Sequence, residues 1–183
     1  MYGYAIIQRK YDDKGNKTEE RFCDADGKLI IPKMCGYAIM QAKYDEEAIP
    51  MPTEECFYGA DEKLIVPENY GYAIAQRKYD SKRNEIPAEE RYYGTDGKLI
   101  VPEQYGYAIM QTKYDNKRNI SETRYYGVDE KLKENIFGFA IIERQLNDHG
   151  NVINWHYYSP DEKLIEGEEL RLIEENMTQF FLH

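Results

Sequence analysis

Cysteine, histidine and tryptophan are scarce in this 183-residue chain, which has three, three and one of them. The cysteines do not recur at a fixed spacing, and each stands where other segments carry a packing or surface residue: Cys23, Cys35 and Cys56. Isolated cysteines of this kind are usually small buried apolar residues. We therefore expect free thiols, and neither a disulfide framework nor a metal site.

Catalytic motifs are also missing. The histidines are His149, His156 and His183, all in the last third, and no nucleophile elbow, phosphate loop or zinc-ligand spacing accompanies them. The acidic stretches 12–16 and 24–27 crowd oxygen atoms as a calcium loop does, but they lack its closing bidentate glutamate. Ordinary Asx turns explain them better. The sequence therefore predicts a protein that is not an enzyme and holds no cofactor.

Two further absences limit the partners and the location. The formal net charge is -10, and the basic residues alternate with acidic ones instead of forming a stripe, which excludes nucleic-acid binding. No apolar run reaches the roughly twenty residues of a membrane span. A repeat starts at Gly3 and leaves no room for a signal peptide. We expect a cytoplasmic protein, or a cell-surface or secreted one if the chain is a piece of a longer exported protein.

The dominant feature of the chain is a four-residue phrase that recurs five times. It reads Gly-Tyr-Ala-Ile, or Gly-Phe-Ala-Ile in the last copy, and starts at Gly3, Gly36, Gly71, Gly106 and Gly138. The intervals are 33, 35, 35 and 32 residues, which indicates a tandem-repeat protein whose units pack on their neighbours. We assign an array over residues 1–167, with units 3–35, 36–70, 71–105, 106–137 and 138–167.

Each unit reads as a β-meander of two strands and a short apolar run, joined by polar turns. Alternation predicts that Tyr72, Ile74 and Gln76 share one face of the first strand. The second turn carries Asp-Gly in some units and Asp-Glu in others, such as Asp61-Glu62. Because a non-glycine residue at positive φ costs roughly 1–2 kcal/mol, we expect this turn to need no left-handed residue.

These observations predict an all-β fold, a tandem-repeat β-meander that forms a curved single-layer sheet or a β-solenoid. The residues after Ile165 depart from it, because apolar side chains recur at helical spacing among glutamates. They are Leu170, Ile173, Met177, Phe180 and Phe181. We interpret 168–183 as an amphipathic helix that caps the array, since an open sheet end needs cover. The alternative is a helix that docks a protein partner.

An aromatic doublet in each of the last four units suggests a function. Alternation sends one ring of a doublet to the core and the other to the opposite face. The second rings, together with the single tryptophan, are the candidate ligand-binding residues: Tyr58, Tyr93, Tyr126, Tyr158 and Trp155. Regularly spaced aromatics favour a non-catalytic module that binds carbohydrate or another cell-envelope polymer. The alternatives are that neighbouring units cover both rings, or that the protein is a structural or protein-interaction scaffold.

Three short motifs resemble known bacterial repeat families. Residues 10–16, Lys-Tyr-Asp-Asp-Lys-Gly-Asn, are similar to the tyrosine-aspartate (YD, RHS-type) repeat. Residues 22–29 and 92–99 resemble the hairpin of choline-binding and glucan-binding cell-wall repeats, and residues 96–105 resemble the end of the WG repeat. These resemblances imply a bacterial β-repeat module with a polysaccharide or envelope component as partner. They imply no particular ligand.

Overall fold

The structure is a computed structural model that describes residues 3–45, 51–80 and 86–181. Within these residues, ten strands form one antiparallel sheet whose order in space follows the order in sequence. The strands are β1 Ile6–Tyr11, β2 Lys17–Cys23, β3 Ile39–Lys43, β4 Glu54–Tyr58, β5 Ile74–Lys78, β6 Glu89–Tyr93, β7 Ile109–Tyr114, β8 Ile120–Tyr126, β9 Ile141–Leu146 and β10 Val152–Tyr158; the helix α1 Gly167–Phe181 follows. The predicted repeat meander with a C-terminal helix is confirmed. The sheet is open, with β1 and β10 at its edges.

Each unit contributes one hairpin, and the first turn is an Asx turn in the three units where the structure describes it. In the first unit the Asp12 carboxylate accepts the backbone N–H groups of Lys14 and Asn16, at 2.9 and 2.8 Å. The Asp115 carboxylate and the side-chain amide oxygen of Asn147 accept the equivalent pairs of N–H groups in the last two units. Among the described residues, no group of three or more His, Cys, Asp or Glu side chains is arranged to hold a metal ion. Hydrogen bonds within the turns therefore explain why these positions carry aspartate or asparagine.

The expectation for the second turn is wrong. This turn holds a left-handed residue in every unit, glycine in two of them and glutamate in three: Gly27, Glu62, Gly97, Glu130 and Glu162, with φ between 58° and 82°. The chain reverses tightly here, and the residue after the doublet bonds across the turn, as in Gly59 N–H to the Lys63 carbonyl at 2.9 Å. Only one residue of the following apolar run bridges back to the sheet in each unit, for example Leu64 to Tyr58.

The connection between units explains a second departure from the sequence analysis. A turn such as Pro67–Gly71 closes on the Gly71 N–H, which donates to the Pro67 carbonyl at 2.8 Å. Gly71 has φ 72°, and the chain bends again at Ala73 before β5 begins. Tyr72 therefore packs on Phe57 and Tyr92, on the face opposite Ile74 and Gln76. The strict alternation predicted for this segment holds only from Ile74 onward.

The core lies on one face of the sheet, here called the inner face, which carries the first ring of each doublet. Rings from consecutive units contact one another in an unbroken series from Tyr4 to Tyr157, with centroids 4.7–6.0 Å apart. The alanine of each repeated phrase is fully buried at four places, Ala38, Ala73, Ala108 and Ala140. The apolar core thus continues without a break from each unit to the next, as in other repeat arrays.

Helix α1 packs on the inner face of the last unit. Ile173 is 3% exposed and joins Phe139, Tyr157 and Ile165 in a cluster, with Leu170 and Met177 partly buried against it. In earlier units the tyrosine of the next repeated phrase packs on the first doublet ring instead, as Tyr72 does on Phe57 and Tyr107 on Tyr92. No helix among the described residues is long and apolar enough to cross a membrane.

Candidate functional site

The second rings of the doublets form a regular column on the outer face, the face of the sheet opposite the core. This tyrosine column consists of Tyr58, Tyr93, Tyr126 and Tyr158, and every ring is half-buried. Each ring pairs across the hairpin with an isoleucine, from Ile39↔Tyr58 to Ile141↔Tyr158. Each also bridges to the leucine after the second turn. The four tyrosines therefore repeat one environment, in which an apolar base supports a partly exposed ring.

The tyrosines of the column are evenly spaced because neighbouring strands pair in the same register in each unit. Cys56 and Tyr93 both pair with Ile74, so the three residues form one row across the strands. Tyr93 is therefore displaced from Tyr58 by two residues along the strand direction. Tyr126 and Tyr158 repeat this offset with Arg91 and Arg124. Two strand separations and two residues along a strand give a step of roughly 12 Å. The column thus crosses the sheet obliquely at regular intervals.

A polar network lies beside the column on the outer face. In the third unit the Glu89 carboxylate accepts bonds from Lys78, Arg91 and, in the next unit, Gln111, at 2.8, 2.9 and 2.9 Å. Glu19 has the same three kinds of partner in the first unit. The Arg91 and Arg21 guanidinium groups are the largest cause of a pKa of about 2 for Glu89 and Glu19. These carboxylates are ionised at neutral pH and act only as acceptors.

The last unit departs from this network. Glu143 stands where earlier units carry glutamine, and it lies directly opposite Glu122. The Tyr158 hydroxyl donates to Glu143 at 2.7 Å, a bond that raises the pKa of Tyr158. An open depression of about 490 Å³ lies here, lined in part by Lys113, Glu122, Glu143 and His156. The outer face therefore carries an additional carboxylate at this end, where the earlier units carry a neutral glutamine.

Trp155 is on the other side of the sheet from the tyrosine column. It pairs with Arg144 across the last hairpin, and the Arg144 guanidinium lies 5.1 Å from the centre of its ring. Trp155 is 43% exposed and borders an open cleft of about 480 Å³ between β10 and α1. The other lining residues are Tyr157, Glu174, Met177 and Thr178. The structure thus separates Trp155 from the four tyrosines with which the sequence grouped it.

The helix residues of the alternative, partner-binding set are mostly engaged within the chain. Leu170, Ile173 and Met177 pack on the last unit. Phe180 is 58% exposed, and its ring meets Phe137 edge-on at 5.3 Å. The side chain of Phe181 lies outside the described part of the chain. This apolar face therefore covers the sheet.

The cysteines have no site geometry among the described residues. All three are free, with Cys23 buried and Cys35 and Cys56 half-buried. Burial is the largest cause of a raised pKa for Cys35 and Cys56. Neither is activated as a nucleophile, because the thiolate is the reactive form.

Sequence analysis missed the buried carboxylates of the inner face. Glu20 and Glu90 are 6% and 9% exposed, and their partners are Arg9 at 2.7 Å and Arg77 at 2.6 Å. Arg77 also binds Glu55 at 2.5 Å. The signal was the Glu-Glu doublet, whose alternation places one carboxylate on each face.

No protein-family model matches this chain, and no curated protein matches it. The functional interpretation therefore depends on the geometry of the two surfaces.

Proposed function

We propose that the protein is a non-catalytic repeat module that binds a carbohydrate or another cell-envelope polymer through its repeated aromatics. The observation that carries the proposal is the tyrosine column, with one partly exposed ring in each of the last four hairpins at a constant step. A ligand that is itself periodic can meet several such rings at once. In the same proposal, the sheet curves as a single layer or a solenoid and presents the column along its length.

The chemistry of the column suits sugar rings. A tyrosine offers an apolar face for the C–H face of a sugar and a hydroxyl at its tip. The carboxylates and amides beside it, such as Glu89 and Gln111, supply acceptors and donors for sugar hydroxyl groups. Each contact is weak, but linked contacts multiply through effective concentration. This favours a long polymer over a free monosaccharide.

Retention on insoluble polysaccharides and peptidoglycan tests this proposal. Tyr93→Ala or Tyr126→Ala alone should weaken retention modestly, and the double variant should weaken it far more, because linked sites are lost together. Tyr11→Ala is the matched control, since Tyr11 is 57% exposed but lies outside the column. Circular dichroism verifies that the variants fold. Equal retention of the parent and the double variant, or no retention of the parent by any glycan, would contradict the proposal.

A protein-interaction scaffold is the second candidate, and the edge of the sheet favours it. β10 is an edge strand, and its Val152 and Ile153 are 37% and 59% exposed. Unpaired strand edges can add a strand from another chain. An Ile153→Lys variant that loses a protein partner but keeps its glycan retention would assign this second role to the edge.

A further inference from the structure

The inner face carries an arginine at the same place in three of the five units, and its partners differ in the last one. The arginines are Arg9, Arg77 and Arg144, each on the first strand of its hairpin. Arg9 pairs with Glu20 at 2.7 Å. Arg77 lies between two carboxylates, Glu55 and Glu90, at 2.5 and 2.6 Å. These two arginines are neutralised within the chain.

Arg144 lacks such partners. Thr123 stands where the preceding unit would supply a carboxylate, and Trp155 stands where the same hairpin would supply one. The guanidinium donates to the Thr123 hydroxyl at 3.0 Å and lies under the Trp155 ring. No described carboxylate forms an ion pair with Arg144. Four of its five N–H donors have no hydrogen bond within the described chain.

Burial makes a guanidinium group without an anionic partner energetically unfavourable. Arg144 is half-buried among aromatic side chains, and burial lowers its pKa. A desolvated cation without an anion is unfavourable, and a guanidinium fork fits a carboxylate or phosphate in a bidentate geometry. An added oxyanion would complete at Arg144 the arrangement that the chain completes by itself at Arg77.

We propose that Arg144 and Trp155 form a subsite for one oxyanion, the carboxylate or phosphate group of a charged sugar residue. Trp155 connects the cation to the cleft, because its ring lies over the Arg144 guanidinium and also borders the cleft beside α1. A sugar ring can pack on the indole while its charged group reaches Arg144. This inference rests on the proposed carbohydrate function, but it uses the inner face instead of the tyrosine column.

The charge of the protein limits the ligand to sparse anionic groups. The net charge is -10, and Glu174 borders the same cleft. A densely charged polyanion would be repelled as a whole, whereas a single oxyanion meets mainly the local field of Arg144. The ligand class is therefore a glycan with isolated acidic residues.

Trp155 is the one tryptophan of the chain, so its fluorescence reports directly on the subsite. We would titrate the 183-residue protein with glucuronate, glucose 6-phosphate, glucose, acetate and inorganic phosphate. The two sugar anions should give a saturable change that glucose does not give at the same concentrations, and the tighter of them identifies the charged group. Equal responses to acetate or inorganic phosphate would overturn the sugar part of the proposal.

Two variants remove the subsite in different ways. Arg144→Gln deletes the cation, and Thr123→Glu adds the carboxylate that earlier units carry. Each should weaken sugar-anion binding by about tenfold or more, because charge-assisted hydrogen bonds are lost. Arg9→Gln is the matched control and should leave the fluorescence titration unchanged. Arg144→Lys keeps the charge without the fork and should give an intermediate loss.

Three results would overturn the subsite: no saturable response in the parent, an unchanged response in Arg144→Gln, or an unchanged response in a folded Thr123→Glu variant. The Tyr93→Ala, Tyr126→Ala double variant should keep the parent's response, because the column is on the other face. Loss of polymer retention with an intact fluorescence response would therefore count against the proposed function only. Intact retention without the response would count against the subsite only.

Discussion

Individual carboxylates on the outer face of this protein are held by several donors at once. Glu89 is the clearest case, because Lys78, Arg91 and Gln111 all donate to it and its side chain is 14% exposed. The matching carboxylates Glu54 and Glu122 also have lowered pKa values. Each of these residues joins the two strands of a hairpin, and Glu89, Glu19 and Glu54 also bind the next unit.

This arrangement predicts a loss of stability in acid. The pKa of Glu89 is about 2 in the folded chain, against an ordinary value of 4.5. A carboxylate whose pKa is lowered by folding stabilises the protein at pH values above its ordinary pKa. That stabilisation is lost as the pH falls from about 5 to 2. Urea midpoints of the parent should therefore exceed those of Glu89→Gln by more at pH 7 than at pH 2.5.

The matched control for that comparison is Glu103→Gln, a change at an exposed glutamate of the same unit. Its difference from the parent should vary less with pH than that of Glu89→Gln. A difference between the parent and Glu89→Gln that stays constant from pH 7 to pH 2.5 would show that the Glu89 network does not depend on ionisation.

At the scale of elements, the second turns couple each unit to the one before it. Glu130 reaches back to Arg91, and Glu162 to Arg124, each at 3.4 Å. The hydrogen bond to Glu19 is the largest cause of the raised pKa of Arg21, and the charge of Glu62 adds to it. Where Cys56 replaces the arginine, the next turn carries Gly97 instead of glutamate. A glutamate thus occupies the strained left-handed position only where an arginine of the preceding unit faces it.

The connectors between units also stack on one another. Gly106 has φ 78°, and a side-chain carbon there would lie 2.8 Å from the Ile136 amide nitrogen. At Gly71, φ is 72° and the obstacle is the flexible Gln104 side chain. We predict that Gly→Val at either position destabilises by more than about 1 kcal/mol. Gly106→Val should cost more, because backbone cannot yield as a side chain can.

Chemical denaturation of the two variants measures this difference. Gly97→Val is the control for backbone strain alone, since Gly97 has φ 73° and open space around it. Its cost should be smaller than that of Gly106→Val. Midpoints for Gly71→Val and Gly106→Val that match the parent would mean that these glycines only mark the repeat.

The elements were largely predictable from the sequence, and their special residues were not. Five copies of one phrase at nearly equal intervals predicted the hairpins, and helical spacing predicted α1. The left-handed conformation of Glu62 was not foreseen. The sequence around Glu62 shows only the energetic cost of a positive φ, whereas the favourable charge of Arg21 comes from another unit. The turn of Tyr72 toward the core depends on a bend at Ala73 that alternation does not encode.

The candidate surfaces were predictable only in part for the same reason. The doublets indicated which rings recur, so the tyrosine column could be named residue by residue. Trp155 was grouped with that column because it is aromatic, but its register with Arg144 places it on the inner face. No sequence pattern marked Arg144 as a candidate site residue. Arg144 is distinctive because it lacks the carboxylates that surround Arg77. Only the paired strands reveal that difference.

For the molecule as a whole, the account predicts that binding strength grows with ligand length. The column repeats at roughly 12 Å, so a longer oligosaccharide spans more tyrosines, and linked contacts multiply. A binding site on a single unit would instead be saturated by a short oligosaccharide. Ligand length therefore separates a distributed surface from a local pocket.

The most direct test is calorimetric titration with oligosaccharides of increasing length, prepared from a polysaccharide that retains the parent. We expect the affinity to rise stepwise with length and to level off once the ligand spans Tyr58 to Tyr158. The Tyr93→Ala, Tyr126→Ala double variant should lose most of this rise, while Tyr11→Ala should keep it. Equal affinity for the shortest and longest ligands, or a rise that survives in the double variant, would contradict binding along the tyrosine column.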